Sequence, residues 1–212
     1  MNCESCDMTD PDNANNRRTV AAYEDYARSY AQAVSATPSA GEAEGLRRLA
    51  AAVPACGRVL DIGSGPGWEA DFLETLGLQV RRTDVTESFL QFQIERGKSA
   101  YRFDVLSDEI ADTYDGMLML YVLQHFERGQ LDGVLRKLAR GLTANGALLL
   151  SHFLGEGETW EGDAQDYRFV RWSSQALDER LTQAGFTVEW ENFDESASEE
   201  RPWRRVLARK HG

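Results

Sequence analysis

The stretch Arg58 to Leu73, RVLDIGSGPGWEADFL, places an acid at the end of a short apolar run and three glycines at alternate positions just after it. Gly63, Gly65 and Gly67 open the backbone to close approach by a ligand, because no Cβ intervenes. A dinucleotide loop is spaced G-x-G-x-x-G. Counted from Gly63, its third glycine would fall at Trp68. A phosphate-binding P-loop needs Lys and then Ser or Thr after its last glycine, and Trp68 and Glu69 stand there instead. The Asp61 carboxylate beside the turn would repel a pyrophosphate. It suits a cationic ligand, one with an ammonium and a sulfonium. Asp84 ends the next apolar stretch, LQVRRTDV, about 20 residues on, where an acid accepts hydrogen bonds from a ribose diol. Asp84 serves NAD and other adenosine-bearing ligands alike, so the glycine spacing is what discriminates.

These residues need strands and helices to hold them. Arg17–Val34, rich in Ala, reads as a helix with Tyr23, Tyr26 and Tyr30 on one face, and a Pro/Gly/Ser break follows. EAEGLRRLAAAV is a second helix, stopped by Pro54. Strands and helices then alternate: GRVLDIG, WEADFLETLG, LQVRRTDV, TESFLQFQIERG with Thr86 as N-cap, AYRFDVL, YDGMLMLYVL, GQLDGVLRKLARGL, a TANG turn and ALLLSHF. Such alternation predicts a doubly wound α/β fold, a mostly parallel sheet with helices on both faces. Gly155–Trp172 is long, Gly-rich and acidic. SSQALDERLTQAGF is a helix capped by Ser173 or Ser174. TVEWENF and WRRVLARK, with no helix between them, predict an antiparallel hairpin at the end of the sheet. Residues 1–16 read as a disordered tail and 17–212 as one domain, with 17–54 a helical cap and 155–172 a lid-like insertion.

The motifs VLDIGSGPG, TDVTESFL, FDVL, YDGMLMLYVLQHF and GLTANGALLLSHF, in that order and spacing, resemble those of the class I S-adenosylmethionine-dependent methyltransferases. The resemblance runs from Tyr23 to about Phe186, and YEDYARSYAQ resembles the N-terminal helix that closes over the cofactor in many small-molecule members. It implies a Rossmann-like, seven-stranded sheet and S-adenosylmethionine as cofactor. By position, Asp61, Gly63, Ser64 and Gly65 would surround its methionine part. Asp84 would take the ribose hydroxyls and Val85 would pack the adenine. Asp104 would accept from the adenine N6, or be a surface turn acid, and Val105 would offer backbone to the ring. Leu120 and Tyr121 would offer carbonyls to the ammonium. Tyr23 and Tyr30 would cover the carboxylate end, or simply pack their helix.

Methyl transfer is an in-line displacement, so alignment dominates, and positioning of this kind contributes roughly 7–11 kcal/mol. His125, just past the fourth strand, is the candidate general base; the alternative is a cap or packing role beside the cofactor. His152 is a weaker candidate. The Asp/Asn set of metal-assisted members is not found, so no metal is expected. Arg168 and Arg171 would clamp an acidic acceptor through bidentate pairing, or balance the EGDAQD acids beside them. The Asp194–Pro202 loop is the other candidate for acceptor choice. The expected activity is methylation of O or N on a small molecule. The alternatives are a peptide or protein side chain as acceptor, and a non-catalytic binding module of the same fold.

Composition sets the outer bounds. The chain has 212 residues, 42% of them hydrophobic, which suits one domain with a real core. Its net charge of −12 argues against a nucleic-acid partner, which is held by Lys/Arg contacts to phosphate. The nearest basic run, Arg201–Arg205, reads as a strand with an alternating solvent face. The sequence lacks an 18-residue apolar run and the N-terminus does not look like a signal peptide, so a cytoplasmic protein without membrane contact, monomer or homodimer, is expected. Cys3 and Cys6 form a C-x-x-C, but Cys56 and the histidines are scattered, which disfavours a zinc site.

Overall fold

The apolar runs VLDI, MLML and ALLLSHF are buried on both faces, a condition met when a parallel sheet lies between two layers of helices. The computed structural model, which describes residues 14–161, 167–194 and 202–212, builds that arrangement. Strands β1 (Arg58–Ile62), β2 (Gln79–Asp84), β3 (Ala100–Arg102), β4 (Tyr114–Met119) and β5 (Leu142–Phe153) are parallel, and β8 (Phe186–Phe193) and β9 (Trp203–Lys210) close one edge antiparallel. The order is β3-β2-β1-β4-β5-β9-β8. Strand order reverses between β1 and β4, so the loops leaving them part and open a crevice at their carboxyl ends.

Alternate residues face opposite layers. Leu60, Ile62, Met117 and Leu148 pack with leucines of α5 (Leu131–Gly141) and α6 (Ser174–Gln183). Val59, Leu118 and Leu149 pack with Leu46 and Leu49 of α2 (Ala40–Ala52) and Leu73 of α3 (Trp68–Thr75). Each such buried side chain is worth about 1.5–3 kcal/mol. The remaining helices, α1 (Ala14–Ala33) and α4 (Glu87–Glu95), pack on each other over the crevice.

Several expectations change. The first helix begins at Ala14, inside the stretch read as tail, while residues 1–13, with Cys3 and Cys6, lie outside the described residues. TANG is not a free turn but part of β5, where Asn145 takes a φ of 59° and the pairing with β4 shifts register between Tyr114 and Gly116. Gly155–Trp172 carries an antiparallel ribbon, β6 (Glu158–Glu161) with β7 (Tyr167–Val170). Arg204 and Arg205 do not alternate with solvent. Both are buried, and Arg204 is satisfied by Asp178 at 2.8 Å and Glu191 at 2.5 Å.

Candidate active site

The glycine loop turns immediately after β1. Gly63, Gly65 and Gly67 all have positive φ, the region L side chains avoid. A Cβ on Gly63 would sit 2.3 Å from Val122 Cγ2, whereas one on Gly65 would meet nothing within 4 Å. The first glycine is therefore required by packing, and the second faces open cavity. The loop is tied from two sides. The buried Asp84, at the end of β2, accepts from Gly65 N and from Thr86 N, each at 2.8 Å. Gln93 of α4, fully buried, donates to Ser64 Oγ and Gly65 O at 2.8 Å.

Above this floor lies a cavity of roughly 1040 Å³. Asp61, Gly63, Ser64, Gly65, Asp84 and Val85 line one end, and Asp104 and Val105, with Phe103, Leu106 and Phe126, line another. Asp104 accepts from Leu106 N at 2.9 Å, and Lys137 of α5 holds the Val105 and Asp108 carbonyls at 2.8 and 2.6 Å. Leu120 and Tyr121 line the wall after β4. The Tyr121 backbone has a φ of 59°. Its carbonyl, expected to receive an ammonium, already accepts from the Gln124 amide at 2.5 Å. Its phenol donates to Glu42 at 2.5 Å and accepts from the buried Arg205 at 2.7 Å.

Carboxylates dominate the charge here. Burial, with Glu69 nearby, holds the Asp61 carboxyl well above its usual range, and Asp61 Oδ2 is buried without a hydrogen-bond partner. Burial also raises Asp84. Glu69, half-buried in the first turn of α3, is pushed up to about 7 by burial and by Glu42.

Helix α1 forms the roof. Tyr23 and Tyr30 line the cavity and stack edge-on to each other at 5.9 Å and against Phe89 of α4. Burial pushes the Tyr30 phenol up to about 12 and raises Tyr23 too, so both stay neutral. Glu24 caps α4, its two oxygens accepting from Glu87 N at 2.7 Å and Ser88 N at 2.8 Å. Thr86 occupies the N-cap position expected of it, but its side chain makes no cap bond; Glu24 does that work from α1. The ribbon clasps α1 from outside. Tyr167 meets Tyr23 at 5.0 Å, Arg18 lies over Trp160, and Arg168 N donates to Thr19 at 3.3 Å.

His125 lines the cavity. Its Nδ1 lies 2.8 Å from the Arg168 carbonyl. A carbonyl only accepts, so Nδ1 carries the proton and Nε2 presents a lone pair. Nε2 faces Gln124 Nε2 at 3.1 Å and the Tyr23 hydroxyl at 3.4 Å. Burial pushes its pKa down to about 4, which leaves it neutral and weakly basic near pH 7. That geometry favours the positioning alternative over the general base. His152 is away from the cavity wall, fully buried, with neither ring nitrogen bonded.

The arginine clamp is corrected. The buried Arg168 pairs with Glu127 and Glu158, and neither Arg168 nor Arg171 lines the cavity. Arg171 lies over the Phe153 ring at 4.9 Å. Nor do the described residues of Gly155–Trp172 line it; α1 and the Val34–Ser39 connection do. Residues 195–201 of the other candidate loop, and Gly162 of the insertion, lie outside the described residues. Gln93, Glu24, Glu42 and Glu69 escaped the sequence reading. Ser39-x-x-Glu42 is a capping-box pattern, and the box forms, so that signal was present; the reach of Glu42 to Tyr121 had none. Among the described residues, no cluster of His, Cys, Asp and Glu suits a metal ion, and no helix is long and apolar enough to cross a membrane.

A family model described as a methyltransferase domain matches residues 26–190. No curated protein matches the chain in sequence. Among solved structures, a Burkholderia thailandensis 1,6-didemethyltoxoflavin-N1-methyltransferase, with bound 1,6-didemethyltoxoflavin and S-adenosylhomocysteine, is 18% identical. It superposes with a TM-score of 0.74 over 94% of this chain and 88% of its own. A Methanosarcina mazei S-adenosylmethionine-dependent methyltransferase is 15% identical, TM-score 0.68, over 76% of this chain and 95% of its own. The [4+2]-cyclase SpnF is 16% identical, TM-score 0.63, over 80% of each chain. At these identities the likeness shows a fold, and the cyclase shows that this fold hosts other chemistry. The match across most of the sequence goes further: the chain belongs to the methyltransferase domain family, and its fold is that of the class I S-adenosylmethionine-dependent methyltransferases.

Proposed function

We propose that the protein transfers the methyl group of S-adenosylmethionine to nitrogen or oxygen of a small molecule enclosed beneath α1. The observation that carries this reading is the unpartnered, buried Asp61 Oδ2 in a cavity that also presents Asp84 and the unobstructed Gly65. A buried carboxylate oxygen without a partner is costly, and an ammonium satisfies it. Asp84 keeps lone pairs for a ribose diol after accepting its two amides. Asp104 faces the adenine amine, with Val85, Val105 and Phe103 as apolar walls. When bound, the cofactor supplies a methyl carbon activated by positive sulfur. The protein's own part is to orient the acceptor and exclude water. The neutral His125 fixes Tyr23 and the ribbon in register rather than taking a proton.

The enclosure favours a small acceptor over a peptide side chain, because a peptide would have to displace α1 from its bonds to α4 and the ribbon. With an acidic chain and an acidic cavity, a small metabolite in the cytoplasm is the reading we adopt, and nucleic acid is not. The experiment is a screen of small metabolites and of peptides for formation of S-adenosylhomocysteine. Turnover with small molecules is expected; turnover with peptides alone contradicts the small-acceptor reading, and cofactor binding without any turnover favours the non-catalytic module.

A further inference from the structure

The charges around the cavity do not balance, even after a cofactor is counted. Glu24, Glu42, Asp61, Glu69, Asp84 and Asp104 line it, against Arg17 and Arg102. Four of these carboxylates are occupied within the protein. Glu24 holds the amides of α4, Asp84 those of Gly65 and Thr86, Asp104 that of Leu106, and Glu42 the Ser39 amide and the Tyr121 hydroxyl. Asp61 and Glu69 remain, Glu69 held only by its own backbone amide. Asp61 is 3% exposed and one of its oxygens has no partner. Among the described residues, Glu69 has no ion pair. S-adenosylmethionine carries an ammonium, a sulfonium and a carboxylate, a net single positive charge. It compensates Asp61 and leaves Glu69 facing the rest of the cavity.

Building on the methyltransferase reading above, we propose that the acceptor is a basic amine, and that Glu69 docks its ammonium and then accepts its proton. Every packed element sets the field at Glu69. Burial, Glu42 of α2, Asp71 of its own helix and Asp61 of β1 disfavour its negative charge, while its own backbone amide and the buried Arg205 of β9, which does not bond to it, favour that charge; the Tyr30 phenol of α1 faces it as a neutral group. A carboxyl that titrates near 7 can hold a proton taken from an ammonium, which a carboxyl in its ordinary range does poorly. The balance is simple. The ammonium and the carboxylate become an amine and a carboxylic acid. The freed nitrogen lone pair then forms the N–C bond as the S–C bond breaks, with its electron pair returning to sulfur. Carboxylate-bearing acceptors are disfavoured by the same charges, the reverse of the expectation built on Arg168 and Arg171. Arylalkylamines fit best, because Tyr23, Tyr30 and Phe89 line the cavity and give an aryl group apolar walls while its alkylammonium reaches Glu69.

The test is calorimetry on the S-adenosylhomocysteine complex with matched probes: phenethylamine, 2-phenylethanol and 3-phenylpropionate, and tryptamine, tryptophol and indole-3-propionate. Each amine is expected to bind at least about tenfold more tightly than its alcohol and carboxylate counterparts. Glu69→Gln, a neutral isostere on a half-buried site, is expected to erase that preference while S-adenosylhomocysteine affinity changes by less than about threefold. Equal binding of the alcohols or acids, absence of amine binding, or an amine preference that survives Glu69→Gln overturns the proposal. A large loss of S-adenosylhomocysteine affinity in that variant also overturns it, assigning Glu69 to the cofactor instead. Failure of the wild-type protein to bind S-adenosylhomocysteine at all is a different result, and defeats the methyltransferase reading itself.

Discussion

Asp84 and Glu24 do the same thing on opposite sides of one cavity. Each carboxylate takes two backbone amides, one oxygen apiece. Asp84 takes Gly65 N and Thr86 N in the floor, and Glu24 takes Glu87 N and Ser88 N in the roof. Their surroundings differ. Asp84 is 5% exposed, and its partners lie 19 and 2 residues away within one strand–helix–strand unit. The bonds of Glu24 span 63 and 64 residues, one exposed and one part-buried, and they join two helices. A buried, local tie is strong and belongs to the framework. A half-buried tie between distant segments is reached by water and opens more readily. The contrast predicts a fixed floor and a releasable roof, which is what a site needs if its ligands must enter and then be shut from solvent.

Breaking the floor should have the largest effect. Asp84→Ala leaves two amides unpartnered and removes the expected ribose acceptor. Hydrogen bonds to a charged group are worth about 1.5–3 kcal/mol, so S-adenosylhomocysteine affinity should fall at least about tenfold. The far-ultraviolet circular dichroism should remain native, because the sheet core does not rest on this side chain. Unchanged calorimetric affinity in the folded variant would remove Asp84 from the cofactor site.

Breaking the roof should cost little stability and much closure. Glu24→Gln keeps the shape and discards the charge at the start of α4. Loss of a cap costs about 0.5–2 kcal/mol, and each kcal/mol shifts Tm by about 2–4 °C for a chain of this size. Amide exchange in α1 should accelerate while β1 and α3 exchange as before. Equal acceleration in both would mean that floor and roof are one cooperative unit, and the contrast drawn from Asp84 and Glu24 would fail.

A smaller effect separates the sheet from both. His152, on β5, is held at about 4, first by burial and then by the Arg204 charge, with Asp178 opposing. A histidine with a lowered native pKa stabilises the fold above its ordinary value of 6.5, and that stability is lost as pH falls from there toward 4. His125 acts in the same direction. His152→Leu should shrink the drop in Tm between pH 8 and pH 5. An undiminished drop would place the acid sensitivity elsewhere, first at His125.

The same contrast explains what could be read in advance. The floor was legible because its chemistry is local: Asp61, Gly63, Gly65 and Asp84 lie in one continuous stretch, and each lines the cavity. Alternating apolar runs likewise gave the parallel sheet and its antiparallel edge. The roof was legible only as a helix with three tyrosines. Glu24 looked like any surface acid, and nothing near it pointed to the amides of α4. Arg168 misled for the same reason. Its neighbours in sequence are acids, but the carboxylates that hold it, Glu127 and Glu158, come from a turn after β4 and from the opposite strand of the ribbon. Burial of Arg204 and Arg205 was hidden too, since partners from α6, β8 and the turn after β4 are what let guanidiniums sit in a core.

Titration of the wild-type protein in the calorimeter, with S-adenosylmethionine and separately with NAD, tests the central claim most directly. Asp61 beside the glycine turn, and Trp68 where a dinucleotide loop has its third glycine, set the expected result: saturable one-site binding of S-adenosylmethionine at micromolar concentrations and none of NAD. Binding of NAD more tightly than S-adenosylmethionine, or no binding of S-adenosylmethionine, would contradict it.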